Sequence, residues 1–131
     1  MSGQTDLPKL LRALKPVLRE GEFVFCSIRP EEAAGLRGEP IFQFLEDEGL
    51  TVVLRREEAE QNGLAFAFPS RMLTLTAHSS LDAVGVLAAV TMKLADAGIS
   101  VNAVSACYHD HLFVPSGRAE EALRLLAEMS G

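Results

Sequence analysis

Cysteine is scarce, basic residues are outnumbered, and long apolar runs are missing. Each shortage removes a class of protein. The two cysteines, Cys26 and Cys107, cannot build a disulfide framework, which points to a reducing compartment, the cytoplasm. A bond between the two stays open as the lesser alternative. Twelve Lys and Arg face eighteen Asp and Glu, a net charge of -6, and the basic residues are scattered, with Arg55 and Arg56 the densest spot. Nucleic acid and anionic membranes, which need clustered cations, are therefore not expected as partners. No stretch approaches the ~20 apolar residues of a membrane span. The start, Met1 to Leu18, is interrupted by Lys9, Arg12 and Lys15, with Arg19 just beyond, so no secretion signal is expected there.

What is present suffices for a core: 48% of the 131 residues are hydrophobic. That length suits one ordinary domain or two very small ones, and units of about 60 residues bury only ~60% of their unfolded surface. A fused pair is expected. Leu7, Leu10, Leu11, Leu14 and Leu18 have helical spacing, with Pro8 suiting a first turn and Pro16 ending or kinking the helix. A strand is expected at Glu22 to Ile28, apolar on both faces. One or two helical turns follow in Pro30 to Gly38, then an apolar run at Ile41 to Phe44 and a turn at Glu46 to Gly49. Leu50 to Leu54 reads as a strand, Arg55 to Gln61 as a short charged helix stopped by Asn62-Gly63, and Ala65 to Phe68 as a strand before Pro69.

The second half alternates Leu73, Leu75 and Ala77 against Thr74, Thr76 and His78, a half-buried strand. Ser79, Ser80 and Asp82 supply helix-starting oxygens. Val86, Leu87, Val90, Leu94 and Ala97 mark one helical face, ended by Gly98. Ile99 to Cys107 and Leu112 to Val114 read as strands joined by a hairpin over Tyr108 to His111, and Ala119, Ala122, Leu123, Leu126 and Met129 line a last helix. The order strand, helix, strand, strand, helix is a split βαβ pattern short of its final strand. The first half repeats it in decayed form: Arg55-Arg-Glu-Glu-Ala after Leu50-Thr-Val-Val-Leu parallels Arg118-Ala-Glu-Glu-Ala after Leu112-Phe-Val-Pro. The class is α+β, with units 1–68 and 69–131. An open sheet edge is a liability, so Phe23 to Ile28 or Ala65 to Phe68 is expected to fill the gap and interlock the two units by strand exchange.

At Ser79-Ser-Leu-Asp-Ala-Val-Gly-Val-Leu-Ala and Gly98-Ile-Ser-Val-Asn-Ala-Val-Ser-Ala-Cys-Tyr-His-Asp-His-Leu-Phe-Val-Pro, the sequence resembles the ACT domain superfamily. It looks like the small bacterial tandem-ACT proteins related to aspartokinase regulatory regions, and is similar to the animal cytosolic arginine sensor. The match covers the second half well and the first half mainly through Gly49-Leu-Thr-Val-Val-Leu. The resemblance implies two ferredoxin-like βαββαβ units, the first degenerate, that bind a free amino acid and regulate without catalysis or cofactor. By position it names Ser80, Asp82, Val84, Gly85 and Val86 in the loop, and Asn102, Val104 and Ser105 on the following strand. His111, with Asp110 beside it, stands where the arginine sensor has an acidic hairpin residue, so the ligand itself does not transfer.

The loop chemistry agrees. A helix starting near Ala83 to Gly85 directs free N–H groups and a positive dipole end at a carboxylate. Gly85 would let a ligand backbone approach, and Asp82 or Asp110 would answer the ammonium. The competing reading is a plain capped helix. Cys107, His109 and His111, with His78, invite a metal site, yet a hairpin turn through His109 to His111 would break their shared face, and no metal is expected. A Cys107–His109 nucleophile pair lacks an orienting group and an oxyanion hole. Met72, Met92 and Met129 read as core, and the glutamate runs as solvated helix faces. The alternative function is a ligand-free module that pairs with a second copy or a regulated protein.

Overall fold

The computed structural model describes residues 6–76 and 84–130. It separates by packing into an inserted unit, residues 21–70, and an outer unit made of the described parts of 1–20 and 71–131. The expected boundary at 68/69 therefore does not match the packing of residues 6–20. The reason lies in the first leucines. Leu10 and Leu14 are buried among Leu73, Leu75, Val86, Val90, Leu94, Leu112, Val114, Ala122 and Leu126. Each such burial is worth roughly 1.5–3 kcal/mol.

Helix α1 covers Leu7–Arg12 and stops well before Leu18. Lys15 takes φ +47° and Pro16 opens a strand, β1, Pro16–Leu18. Proline fits there because it lacks an N–H and a strand's first position does not require one. β1 pairs antiparallel with the later part of β5 (Ala67–Leu75), in the register Pro16↔Leu75, Val17↔Thr74, Leu18↔Leu73. The strand that fills the gap is thus neither Phe23–Ile28 nor Ala65–Phe68. β5 neighbours β7 (Asp110–Pro115), which pairs antiparallel with β6 (Asn102–Ser105). The outer order is β1-β5-β7-β6, a complete ferredoxin-like sheet with β1 as fourth strand.

α3 (Val86–Asp96) and α4 (Ala119–Ser130) cover the face carrying Leu73, Leu75, Leu112 and Val114. Gly98, at φ +74°, ends α3 as expected: its N–H bonds Ala95 O at 2.9 Å, and that of Ile99 bonds Leu94 O at 3.0 Å. Arg118, preceding α4, donates to Ala97 O at 3.0 Å, placing a cation at the negative end of α3. Met72 is buried and Met129 packs on the core, but Met92 is 61% exposed because it points away from the Val86, Val90, Leu94 stripe.

The inserted unit runs β2 (Phe23–Ile28), a 3-10 helix (Pro30–Gly35), β3 (Phe42–Leu45), β4 (Leu50–Arg55), α2 (Arg56–Gln61) and the first residues of β5. Its strand order is β3-β4-β2-β5, all pairs antiparallel, with Phe25↔Val53 and Phe42↔Val53 marking one face. On the other face Val24, Cys26, Ile28, Leu50, Val52 and Leu54 pack with Ala59 of α2. Asn62, the expected stop of α2, clamps the preceding loop through Arg37 N and O, both at 2.9 Å. The runs expected as separate strands on either side of Pro69 are one strand, because a bulge with Phe68 at φ +57° absorbs the proline.

Candidate functional site

Of the residues expected around the α3 entrance, Ser80 and Asp82 lie outside the described residues, as do His78 and Ser79. The others are placed. Val84 is 82% exposed, Gly85 turns the chain at φ +92°, and Val86 is buried in the core. The first bond of the helix is Ala89 N–H to Gly85 O at 2.9 Å, so the N–H groups of Val86, Leu87 and Ala88 have no partner within it. No side chain among the described residues caps them. The space over Gly85 is used differently from expectation: a Cβ there would lie 3.1 Å from Leu7 Cδ2, so the first turn of α1 sits against the glycine.

The strand residues fall on two faces. Strict alternation in β6 and β7, read with the pairs Asn102↔Phe113 and Val104↔His111, puts Asn102, Val104 and His111 on the helix-free face. Ser105 and Asp110 are opposite one another and on the other face, where Ser105 Oγ donates to Asp110 Oδ1 at 2.6 Å. Asp110 and His111 belong to β7 itself, and the turn is made by residues 106–109, closed by Ala106 N–H to His109 O at 3.0 Å. The Ser105–Asp110 bond fits the shift: the turn lies two residues earlier than the sequence suggests. Among the described residues no three His, Cys, Asp or Glu side chains assemble to hold a metal.

His111 Nδ1 lies 3.0 Å from Thr74 Oγ1, and the same oxygen accepts Arg19 Nε–H at 3.2 Å. Burial, then the charges of His109 and Arg19, hold His111 below the ordinary imidazole range, against an opposing pull from Asp110. Sequence reasoning singled out His111 but missed Arg19 and Thr74, since the pairing that joins them depends on β1.

The inserted unit carries a shallow, mainly apolar groove of about 460 Å³, lined by Phe25, Cys26, Ser27, Thr51 and Ala65 to Ala67. Burial raises the Cys26 thiol's pKa, and both cysteines are free. The small residues Ala65 and Ala67 were the available sign of this groove.

Two four-strand orders of the ferredoxin-like kind, sharing β5 within one seven-stranded sheet and each covered by helices on one face, define a tandem regulatory architecture. The chain belongs to the ACT domain family, which matches residues 2–71 and again residues 67–128. ACT domains are commonly small-molecule regulatory modules, not catalytic ones. A Vibrio cholerae protein of unknown function, described as a possible transport protein, is 42% identical over 99% of this chain and 100% of its own, with a TM-score of 0.86. A protein from Agrobacterium tumefaciens is 23% identical over 88% of this chain and 87% of its own, TM-score 0.72. The regulatory subunit of aspartate kinase from Thermus flavus shares the fold at 15% identity, over 88% of this chain and 97% of its own, TM-score 0.63. No curated protein is similar enough in sequence to match. Among the described residues no helix is long and apolar enough to cross a membrane.

Proposed function

We propose that the chain is a cytoplasmic sensor that binds a free amino acid or similar small carboxylate and passes a conformational signal to a partner protein, without chemistry of its own. The observation that carries this is the α3 entrance, where three N–H groups at the positive end of an eleven-residue helix have no cap among the described residues. Such an end favours a carboxylate. Ser80, Asp82 and Val84 to Val86 are assigned to the ligand loop, while Asn102 and Val104 of β6 lie on the helix-free face, away from the α3 entrance. Ser105 and Asp110 satisfy each other first, so Asp110 is the weaker candidate for the ammonium. The two free cysteines and the surplus of acidic residues support the location and argue against nucleic acid or membrane as a partner.

A thermal-shift screen against the common amino acids tests it. A ligand at 100-fold excess over its Kd stabilises by about 2.7 kcal/mol, a plain rise in Tm. Silence across the panel sinks the reading. One feature favours the alternative, a pairing module that binds no ligand. Ile41, Phe44 and Leu45 are 47%, 62% and 65% exposed in and beside β3, an end strand of its sheet.

A further inference from the structure

We propose that Arg19 and His111, bridged by the buried hydroxyl of Thr74, form a binding site for an oxyanion on the helix-free face of the outer unit, and that the anion is taken up together with a proton on His111. Val17 and Thr74 share that face through the register of β1 with β5, His111 meets Thr74 there, and Arg19 continues the first ladder, its N–H bonding Met72 O at 2.8 Å.

Thr74 is fully buried, so its hydroxyl finds its partners within the protein. It accepts from Arg19 Nε–H, and its own proton, which has no other partner among the described residues, goes to His111 Nδ1, the assignment that leaves no buried donor unused. In that arrangement the imidazole is neutral, and its Nε2–H has no partner among the described residues. Two groups able to carry positive charge thus meet on one oxygen, with no carboxylate bonded to either among the described residues. The terminal nitrogens of Arg19 make no hydrogen bond or ion pair among the described residues. What sets Arg19 apart is its Nε–H bond to a buried hydroxyl that also meets an imidazole, with its terminal nitrogens left for a further acceptor.

Among the described residues, the charged and titratable groups facing His111 are few. Arg19 lies beyond β1, and His109 precedes β7 with its ring centroid 6.4 Å from that of His111. Asp110 is adjacent in β7, but its carboxylate is on the opposite face and bonded to Ser105. β5 contributes only the uncharged Thr74, and β6 presents Val104 across the ladder. An oxyanion against Arg19 and Nε2–H would supply the missing negative charge. It would raise the proton affinity of His111, and by reciprocity protonation would tighten the anion. The site is separate from the α3 entrance and stands whether or not an amino acid binds there.

Sulfate is the probe, because its charge is constant across the imidazole range. His111 is followed by NMR through a pH titration, with and without sulfate at matched ionic strength. The expected result is an upward move of the His111 midpoint by about one pH unit, equal to roughly tenfold tighter binding to the protonated form. Arg19→Gln should abolish the move, and His111→Gln should leave weak, pH-independent binding. If Arg19→Gln does not melt cooperatively, Arg19→Lys carries the test and should weaken sulfate several-fold. Competition at one pH near 6 identifies the source: displacement by phosphate supports a phosphoryl ligand, and displacement by acetate a carboxylate. An unmoved His111, a move confined to His109, a move equal in Arg19→Gln, or sulfate displaced by neither competitor overturns the site.

Discussion

Gly85 holds two constraints at once, a φ of +92° and the side chain of Leu7 beside its missing Cβ. Alanine there pays for the left-handed backbone and presses a methyl against Leu7 Cδ2. Gly85→Ala should destabilise the chain by about 1–3 kcal/mol in urea unfolding. Pairing it with Leu7→Ala should remove only the contact part, so the double mutant is less damaged than the sum of the singles. An additive pair would show that Leu7 does not rest on the glycine. The sequence marked Gly85 as unusual by its place at a helix start, but gave it to a ligand's approach. What approaches it is a residue at the other end of the chain, a contact no local pattern encodes. His111 is a similar case. Its position was legible, while the hydroxyl and guanidinium that fix its proton were not. Because its folded pKa is depressed, its neutral form stabilises the fold above the ordinary imidazole pKa of about 6.5, and that contribution is lost as pH falls through the lower folded value.

Elements with several turns or alternating residues were read nearly whole. α3 and α4 announce themselves through Val86, Val90, Leu94 and Ala119, Ala122, Leu126, and all six are buried. β2 and β4 were visible as apolar runs for the same reason: one face fills a helix-covered core and the other stays apolar. β1 was not legible. Three residues beginning with proline carry no period, and the leucines before them continue a helical spacing that the backbone abandons at Ala13. β5 was cut in two at Pro69 because a bulge that accommodates proline leaves no signature. The stretch from α1 to β1 is nonetheless part of the outer core. Leu14 is 2% exposed against residues more than fifty positions away in sequence. Leu14→Ala should therefore cost about 2–5 kcal/mol, the range for a truncated core leucine, by urea denaturation. A loss under 0.5 kcal/mol, as for a surface change, would show that the segment only rests on the unit.

At the scale of the molecule, the outer unit is interrupted in sequence and continuous in its hydrogen bonds. Arg19 N–H reaches Met72 O at 2.8 Å, one step beyond the Leu18↔Leu73 pair, so the chain leaves and re-enters at adjacent points of one antiparallel ladder, and the Arg71 side chain adds a bond from Nη2 to Arg19 O at 3.0 Å. Glu20 and Arg71 are therefore positioned as the flanks of a hairpin. Replacing residues 21–70 by Asn-Gly, which favours the tight turn between paired strands, should give a chain that folds and melts cooperatively by circular dichroism. The fragment 69–131, which keeps the helices and the other strands but lacks β1 and the two leucines, should not. The order of these two outcomes is the test, since both chains are small and close to the lower limit for a self-sufficient core. Equal melting of the two would mean that β1 contributes nothing to closing the sheet, and the outer unit would then begin at β5.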